Sequence, residues 1–153
     1  MAIRKILTVN DEFDLQTLRK VSKPVTEFNE RLVTLLEDMK DTLKKAQGAG
    51  ISAVQIGVLK RACLIEHENK ILELINPVII AQSGKNKILE EGCLSVPKKY
   101  GKVERPENVT VKAQDRFGKD FVLEVSGFSA KAVCHELDHL DGILYIDKLM
   151  KDR

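Results

Sequence analysis

The chain has 153 residues, which is enough for one domain that buries roughly two thirds of the surface exposed by its unfolded form. Its 25 Lys and Arg residues nearly balance 23 Asp and Glu residues, and the resulting net charge of +2 excludes a dominant electrostatic attraction to nucleic acid or to an anionic membrane. We therefore predict no direct nucleic-acid binding. The start lacks the apolar segment of a signal peptide and no apolar stretch reaches ~18 residues, so we expect no membrane span and a cytoplasmic location.

The clearest helical pattern covers residues 28–46. Thr26 followed by Glu27 is typical of a helix start. The apolar residues at helical spacing are Phe28, Leu32, Leu35, Leu36, Met39 and Leu43. Gly48 and Gly50 follow and are expected to end the helix. The pattern predicts an amphipathic helix.

Short strands are predicted in the middle of the chain. Residues 51–58 are small and apolar, which suits a tight, buried strand or turn beside a pocket. Residues 61–66 and 71–80 have the composition of strands. Asn76-Pro77 interrupts the second of these and predicts either an edge strand or a break.

A hairpin and a final helix are predicted next. Apolar and polar residues alternate within residues 109–113 and within residues 121–125, on either side of a turn-like segment at residues 115–118. The last helical pattern spans residues 126–140. Two main helices among short antiparallel strands predict an α+β fold, with short antiparallel sheets packed around the C-terminal helix and a second, amphipathic helix beside them.

The final helix carries an HExxH pattern. Ser126 can cap this helix and Gly142 can end it. His135 and His139 lie four residues apart, so they project from one helix face and can hold one metal ion. Glu136 lies beside them as a possible general base. A catalytic zinc-like site needs a third protein ligand and an open position.

The third ligand is expected upstream of the helix. Few residues follow His139, and no second helix that could supply a downstream glutamate fits among them. The longer HExxHxxGxxH pattern is disfavoured because Tyr145 stands at its third histidine position. His67 lies in a polar, turn-like segment, and we predict that it is exposed.

The three cysteines differ in their suitability as ligands. An odd number of cysteines in a chain without an export signal argues against a disulfide framework. Cys63 lies among apolar residues and is predicted to be a core residue. Cys134 points about a third of a turn away from His135 on the helix. Cys93 follows Gly92, which permits close backbone approach, and remains as the candidate ligand.

Three motifs occur in order along the chain: GAGISAVQ at residues 48–55, EGCLS at residues 91–95 and HELDH at residues 135–139. They resemble the motifs of peptide deformylases, enzymes that remove the formyl group from the N-terminal methionine of new bacterial or organellar polypeptides. The similarity extends over essentially the whole chain. It implies one catalytic domain at residues 1–153, with N-formylmethionyl nascent peptides as partners.

The resemblance also implies the ligands and their metal. Cys93, His135 and His139 would bind one ion, with a water in the fourth position. The family is associated with Fe²⁺, which we expect here, and Zn²⁺, Ni²⁺ or Co²⁺ can occupy the same donor set. Glu136 would take the proton of the water and later pass it to the departing amine.

Further roles follow from the same resemblance. The side-chain amide of Gln55 and the backbone N–H of Leu94 would stabilise the tetrahedral oxyanion. Gln55 has an alternative role, in which it only satisfies neighbouring backbone groups. Gly50 would hydrogen-bond the substrate through its backbone, and Ala49 beside it belongs to the same substrate-binding segment.

Two charged residues are expected to support the site. Asp138 would orient the site or a neighbouring backbone segment, and an exposed helix aspartate is the alternative. Arg105 is predicted to pair with Glu91 and so to support the segment of Cys93.

The sequence departs from the family pattern at several positions. Ser52 replaces the usual alanine and adds a hydroxyl near Gln55. Cys134 replaces the usual glutamine, which we expect to change packing and to add some sensitivity to oxidation. Residues 98–102 are strongly basic and border the substrate groove in the family. The sequence lacks the C-terminal helical extension that some deformylases use to dock on the ribosome, so we expect any ribosome association to use another route.

Two alternative functions stay open. One is a general HExxH metallopeptidase that cleaves internal peptide bonds, which would have no use for the Cys93 thiolate. The other is a non-catalytic protein that binds N-termini, which would have no need of Glu136 as a general base.

Overall fold

A computed structural model describes residues 2–150 of the chain. Within these residues the helices are α1 (Glu12–Leu18), α2 (Glu30–Ala46) and α3 (Gly127–Leu140). The strands are β1 (Gly50–Ser52), β2 (Ala62–His67), β3 (Lys70–Ser83), β4 (Lys87–Cys93), β5 (Val96–Arg105), β6 (Asn108–Gln114) and β7 (Asp120–Ser126). Short 3₁₀ helices occupy Ala53–Ile56 and Tyr145–Lys148.

The strands form two antiparallel sheets. Five of them pair in the order β1-β2-β3-β6-β7, and β4 pairs with β5 in a separate two-stranded ribbon. Helix α3 packs against strands of the large sheet and also touches β5 of the ribbon. This arrangement confirms the predicted α+β fold.

The large sheet lies between the two long helices. On one face α2 packs against β1 and β2 through residues such as Leu36, Met39 and Leu64. On the other face α3 packs against β2, β3, β6 and β7, and Cys63 and Val133 belong to this second cluster. Neighbouring residues of a strand point to opposite faces, so Cys63 and Leu64 are both fully buried, each in its own cluster. The sheet therefore supports α3 along a rigid, apolar surface.

Helix α2 is amphipathic as predicted, but its start differs from the prediction. Its N-cap is Asn29, whose side chain accepts a hydrogen bond from Leu32 N at 3.2 Å, so the predicted cap at Thr26 is wrong. Asparagine is as good an N-cap as threonine, and here it is the residue whose oxygen reaches the free N–H groups of the first turn. The helix ends at Ala46, as predicted, and its C-cap Gln47 adopts a left-handed conformation with φ 56°.

The break predicted at Asn76-Pro77 is confirmed, and it lies inside a central strand. The pairing of β3 with β6 shifts register between Ile75 and Val78, so Pro77 falls where the ladder needs no N–H donor. The Asn76 side chain accepts from Val25 N at 2.8 Å and donates to Val25 O at 2.9 Å. These bonds attach the loop before α2 to the bulge.

Other predicted elements are found close to their expected positions. The hairpin of β6 and β7 forms, and the segment at residues 51–58 becomes β1 and a buried 3₁₀ helix. Helix α3 begins after Ser126 and ends before Gly142, although the Ser126 side chain makes no capping hydrogen bond. Helix α1 and the ribbon of β4 and β5 were not predicted. Among the helices of residues 2–150, none has both the length and the apolar character needed to cross a membrane.

Candidate active site

Three potential metal ligands meet where the ribbon touches α3. Cys93 ends β4, and His135 and His139 project from α3. One donor atom from each residue lies within 4.8 Å of the other two, and Cys93 Sγ is 3.3 Å from His139 Nε2. A thiolate with two imidazoles is a donor set that suits a first-row divalent cation and leaves room for another ligand.

The remaining histidine and cysteines lie elsewhere. Cys63 is fully buried in the core, as predicted, and Cys134 packs among the apolar residues between α3 and the sheet. The prediction that His67 is exposed is wrong: its side chain is half-buried, and its Nδ1 is 2.7 Å from Ser129 Oγ. Ser129 lies on α3, so the tertiary contact that covers His67 comes from a residue distant in sequence.

A buried ion pair holds His135 in place. Its Nδ1 is 2.9 Å from Glu91 Oε1, and Arg105 donates to both Glu91 oxygens, at 2.7 and 2.9 Å. A third guanidinium nitrogen of Arg105 donates to Asp138 at 2.8 Å. The predicted pairing of Arg105 with Glu91 is confirmed. These contacts leave the Nε2 side of the His135 ring free to act as a ligand.

The charges of Glu91 and His135 stabilise each other. Burial raises the pKa of Glu91, but the hydrogen bonds from Arg105 and His135 outweigh it and bring the pKa to about 2. Burial lowers the pKa of His135, but contacts with Cys93, Glu91 and Glu136 raise it to about 10. The surroundings of His135 therefore favour a positive charge on its ring side, which a bound divalent cation would supply in place of the proton.

His139 fits the same interpretation. Burial, and then the charge of His135, lower its pKa well below the ordinary value, so its ring is neutral and keeps a lone pair for a metal. The ring is 1% exposed, and its Nδ1 makes no hydrogen bond with any of the described residues. The residues present thus fit a bound metal ion.

Glu136 lies beside these ligands in a buried position. Its carboxylate is 3.0 Å from Ser52 Oγ, and the same hydroxyl lies 2.9 Å from the backbone oxygen of Glu136. Burial raises the pKa of Glu136 to about 7, against the opposing influence of His135 and Ser52. A carboxyl with this pKa can exchange a proton near neutral pH. The Ser52 hydroxyl was expected to act on Gln55, but it contacts Glu136 instead.

Gly50 is constrained by Glu136. A Cβ added at Gly50 would lie 2.7 Å from Glu136 Oε2 and 3.0 Å from the carbonyl oxygen of Leu64. Neither neighbour is a flexible side-chain end that can move freely, because the carboxylate is buried and the carbonyl belongs to β2. Glycine is therefore the residue that lets β1 pass directly beside the carboxylate.

Gln55 directs its amide nitrogen toward the ligands. Its Oε1 accepts from Ser52 N at 2.8 Å, which fixes the orientation of the amide. Its Nε2 donates to Ser95 Oγ at 3.1 Å and lies 3.7 Å from Cys93 Sγ. Leu94 lies in the turn between β4 and β5, and no acceptor among the described residues takes its backbone N–H. Two N–H donors are thus available beside the site.

These residues open onto a pocket of about 500 Å³. Its lining includes Cys93, His135, Glu136, Gln55, Ala49 and Gly50. His139 lies beneath this surface. The pocket also reaches Phe128 and Lys131, which the sequence analysis did not single out. Both lie on the His135 face of α3, seven and four residues earlier, so helical spacing alone could have identified them.

Comparisons with known proteins agree with this geometry. Residues 3–153 match the sequence model of the polypeptide deformylase family. The peptide deformylase of Caldicellulosiruptor bescii is 54% identical over 151 residues, which cover 99% of this chain and 88% of that protein. The peptide deformylase of Thermoanaerobacter pseudethanolicus is 46% identical and is covered to 92% of its length by 99% of this chain.

Solved structures show the same fold. A crystal structure of a peptide deformylase from Legionella pneumophila matches with a TM-score of 0.90 and 46% identity, over 97% of this chain and 87% of that chain. The peptide deformylase from Thermotoga maritima matches with a TM-score of 0.93 and 34% identity, over 99% of this chain and all of that chain. The sequence match, the fold and the identity to these enzymes together establish that the chain belongs to the polypeptide deformylase family.

Proposed function

We propose that the chain hydrolyses the formyl amide of N-terminal N-formylmethionine in newly synthesised polypeptides and releases formate. In this proposal residues 1–153 form one catalytic domain. The observation that carries it is the meeting of the Cys93 thiol with two histidines of α3, beside a buried carboxyl group whose pKa is about 7. Because new chains are made in the cytoplasm, that is the proposed compartment.

A metal ion would be held by Cys93, His135 and His139. When bound, a divalent cation supplies Lewis acidity and lowers the pKa of a coordinated water. The thiolate and the two neutral imidazoles suit Fe²⁺, which is the proposed ion, and would also accept Zn²⁺, Ni²⁺ or Co²⁺. Glu91 and Arg105 position this donor set through Nδ1 of His135.

Glu136 would move the proton. As a carboxylate it accepts a proton from the attacking water while the new C–O bond forms at the formyl carbon. As a carboxylic acid it then donates this proton to the amine nitrogen of methionine, and the C–N bond breaks. A pKa of about 7 makes both forms accessible at neutral pH. Ser52 keeps the carboxyl group in one orientation during the exchange.

The formyl oxygen becomes negatively charged when the water attacks. The Gln55 amide nitrogen and the Leu94 backbone N–H are the proposed donors to this oxygen. Removing one such donor typically costs about 3 to 4 kcal/mol of transition-state stabilisation. The bond from Ser52 N to Gln55 Oε1 supports this role, since it keeps the Nε2 end of the amide toward the ligands.

The peptide is proposed to bind along the pocket beside β1. Gly50 would offer its backbone to the peptide, with Ala49 next to it. The absence of a side chain at Gly50 leaves space for both Glu136 and an extended peptide.

Formate release tests this proposal. Protein loaded anaerobically with Fe²⁺ is mixed with a formyl-Met-Ala-Ser peptide, and formate and the free amine are quantified. The native chain is expected to produce both in equal amounts, and Glu136→Gln is expected to bind metal yet lose at least about 100-fold in rate. Cys93→Ala is expected to lose metal. A native chain with full metal occupancy that released no formate would refute the proposed function.

A further inference from the structure

The mouth of the active-site pocket is basic. Lys98, Lys99 and Lys131 all line it, and no carboxylate among residues 2–150 lies within 4.0 Å of their ammonium groups. Lys148, by contrast, lies beside Asp138, so part of its charge is compensated. The charge of the mouth is therefore available to a ligand.

The carboxylates of the pocket do not offset this charge. Glu91 is bound by Arg105 and His135 and is 2% exposed. Glu136 is 4% exposed and sits beside the metal ligands. Glu90 is the one remaining acidic residue of the lining, and it is exposed. Three lysines thus face a single outer carboxylate.

The lysines project from backbone that is held in place. The carbonyl oxygen of Lys99 accepts a hydrogen bond from the hydroxyl of the buried Tyr145 at 2.9 Å. Lys131 Nζ donates to Glu90 O at 3.1 Å and lies 4.3 Å from the ring centroid of Phe128. The backbone of Lys99 and the ammonium group of Lys131 are therefore held at the mouth.

Two exposed aromatic rings border the same opening. Tyr100 is 72% exposed and Phe128 is 56% exposed, and both line the pocket. The Tyr100 ring lies over Gly92, where an added Cβ would be 2.6 Å from the ring. Aromatic rings with adjacent ammonium groups provide both apolar contact and charge for a peptide that passes between them.

We propose that this basic mouth selects nascent chains that carry Asp or Glu shortly after the N-terminal methionine. The inference rests on the proposed function. If the formyl group reaches the ligands at the base of the pocket, the residues after methionine must leave through the mouth. Each extended residue spans only ~3.3 Å, so the third and fourth residues are still close to it. Acidic side chains at the third and fourth positions then pass the lysines, whereas basic side chains there are repelled.

Matched peptides test this inference. Formyl-Met-Ala-Glu-Glu, formyl-Met-Ala-Gln-Gln and formyl-Met-Ala-Lys-Lys, all with amidated C-termini, are compared by kcat/KM with metal-loaded protein. The acidic peptide is expected to exceed the basic one by roughly tenfold at about 0.02 M salt and by no more than about threefold at ~0.5 M, because salt screens exposed charges. The double variant Lys98→Glu, Lys99→Glu is expected to reverse the order.

A control variant changes the same net charge elsewhere. Lys112 and Lys119 are exposed, belong to the β6–β7 hairpin and do not line the pocket. The double variant Lys112→Glu, Lys119→Glu is expected to keep the native ratio of acidic to basic peptide. A reversed ratio in this control would assign the preference to overall charge and overturn the role of the mouth.

The outcomes separate this inference from the proposed function. If the neutral peptide releases formate but the acidic and basic peptides have equal kcat/KM at low salt, the inference is wrong and the deformylase proposal stands. The inference is also wrong if the preference is unchanged at high salt or in the Lys98→Glu, Lys99→Glu variant. If the neutral peptide releases no formate, the proposed function itself fails.

Discussion

The hydroxyl of Ser52 lies 2.9 Å from the backbone oxygen of Glu136 and 3.0 Å from its Oε1. Both residues are almost fully buried, so this contact is shielded from water. One hydroxyl on β1 is thereby connected to both the backbone and the carboxyl group of the proposed general base.

Ser52→Ala is expected to move the acid limb of the pH–rate profile. The hydrogen bond from Ser52 favours the ionised form of Glu136 and lowers its pKa, so its removal raises the pKa above about 7. The base must be ionised to accept a proton, and the acid limb of kcat/KM should therefore shift to higher pH by about half a unit. Ser22→Ala is the control, since Ser22 is also buried but its Oγ has no hydrogen-bond partner among the described residues. An unchanged profile in Ser52→Ala would contradict the prediction.

Arg105→Met is expected to weaken both the fold and metal binding. The substitution leaves the buried carboxylate of Glu91 without its main partner, which typically costs about 3 to 5 kcal/mol of unfolding free energy. Loss of the support for His135 should also lower metal affinity by about 10- to 100-fold. Urea unfolding and metal titration measure the two effects.

Arg116→Met provides the comparison for Arg105. Arg116 also contacts two carboxylates, Glu73 and Glu37, but its side chain is 23% exposed and lies away from the ligands. The Arg116→Met variant should lose less stability than Arg105→Met and keep native metal affinity. Equal losses of metal affinity in both variants would argue against a specific role of Arg105.

The metal-free protein is expected to lose stability in acid because of Glu91. The pKa of this carboxyl is about 2 in the folded state and near 4.5 when unfolded, so its stabilising contribution is complete above pH 4.5 and is lost as the pH falls toward 2. The contribution amounts to at most about 3 kcal/mol. Urea melts at several pH values should show this slope in the native protein, and a smaller slope in Glu91→Gln. Identical slopes would show that another group controls acid unfolding.

Gly50→Ala is expected to reduce activity more than stability. The added methyl group would displace the Glu136 carboxylate or the β2 backbone, and a shift of the carboxylate disturbs proton transfer. Gly57→Ala is a useful contrast, because Gly57 has φ 85° with no atom within 4 Å of an added Cβ. That control should lose roughly 1 kcal/mol of stability and keep native kcat/KM. Comparable kcat/KM in both variants would contradict the proposed steric role of Gly50.

Elements with a strong apolar period were predictable from the sequence. The buried face of α2 repeats at helical spacing, and the strands of the β6–β7 hairpin alternate around a turn. The start of α2 was not predictable to the residue, because Thr26 and Asn29 are both suitable caps and tertiary contacts decide between them.

The ribbon of β4 and β5 escaped prediction because its inward residues are not uniformly apolar. Glu91 and Arg105 are buried and charged, and they satisfy each other across the ribbon. A search for alternating apolar residues cannot recognise strands whose buried positions are occupied by the two partners of an ion pair. Helix α1 was missed for a related reason: Leu18 is its one buried residue, and Phe13 is 81% exposed.

The candidate ligands could be proposed from the sequence, whereas most of their supporting contacts could not be predicted. The resemblance to deformylases suggested Cys93 and the HExxH residues, and the pairing of Arg105 with Glu91 was also expected. The contact of Ser52 with Glu136 depends on how β1 crosses α3, which local sequence does not determine. The same is true of the contact between His67 and Ser129, two residues that lie 62 positions apart.

The ribbon and α3 come from different parts of the chain, and Cys93 and His139 lie 46 positions apart. A cation that binds both would close a long loop. Bringing the two ends of such a loop together costs the unfolded chain entropy, and a cross-link between them removes this cost from folding. The metal would then act as a reversible cross-link as well as a cofactor. Release of the ion should free the ribbon before the sheet and α2 unfold, so the segment that carries Cys93 would become the first to exchange its amide hydrogens.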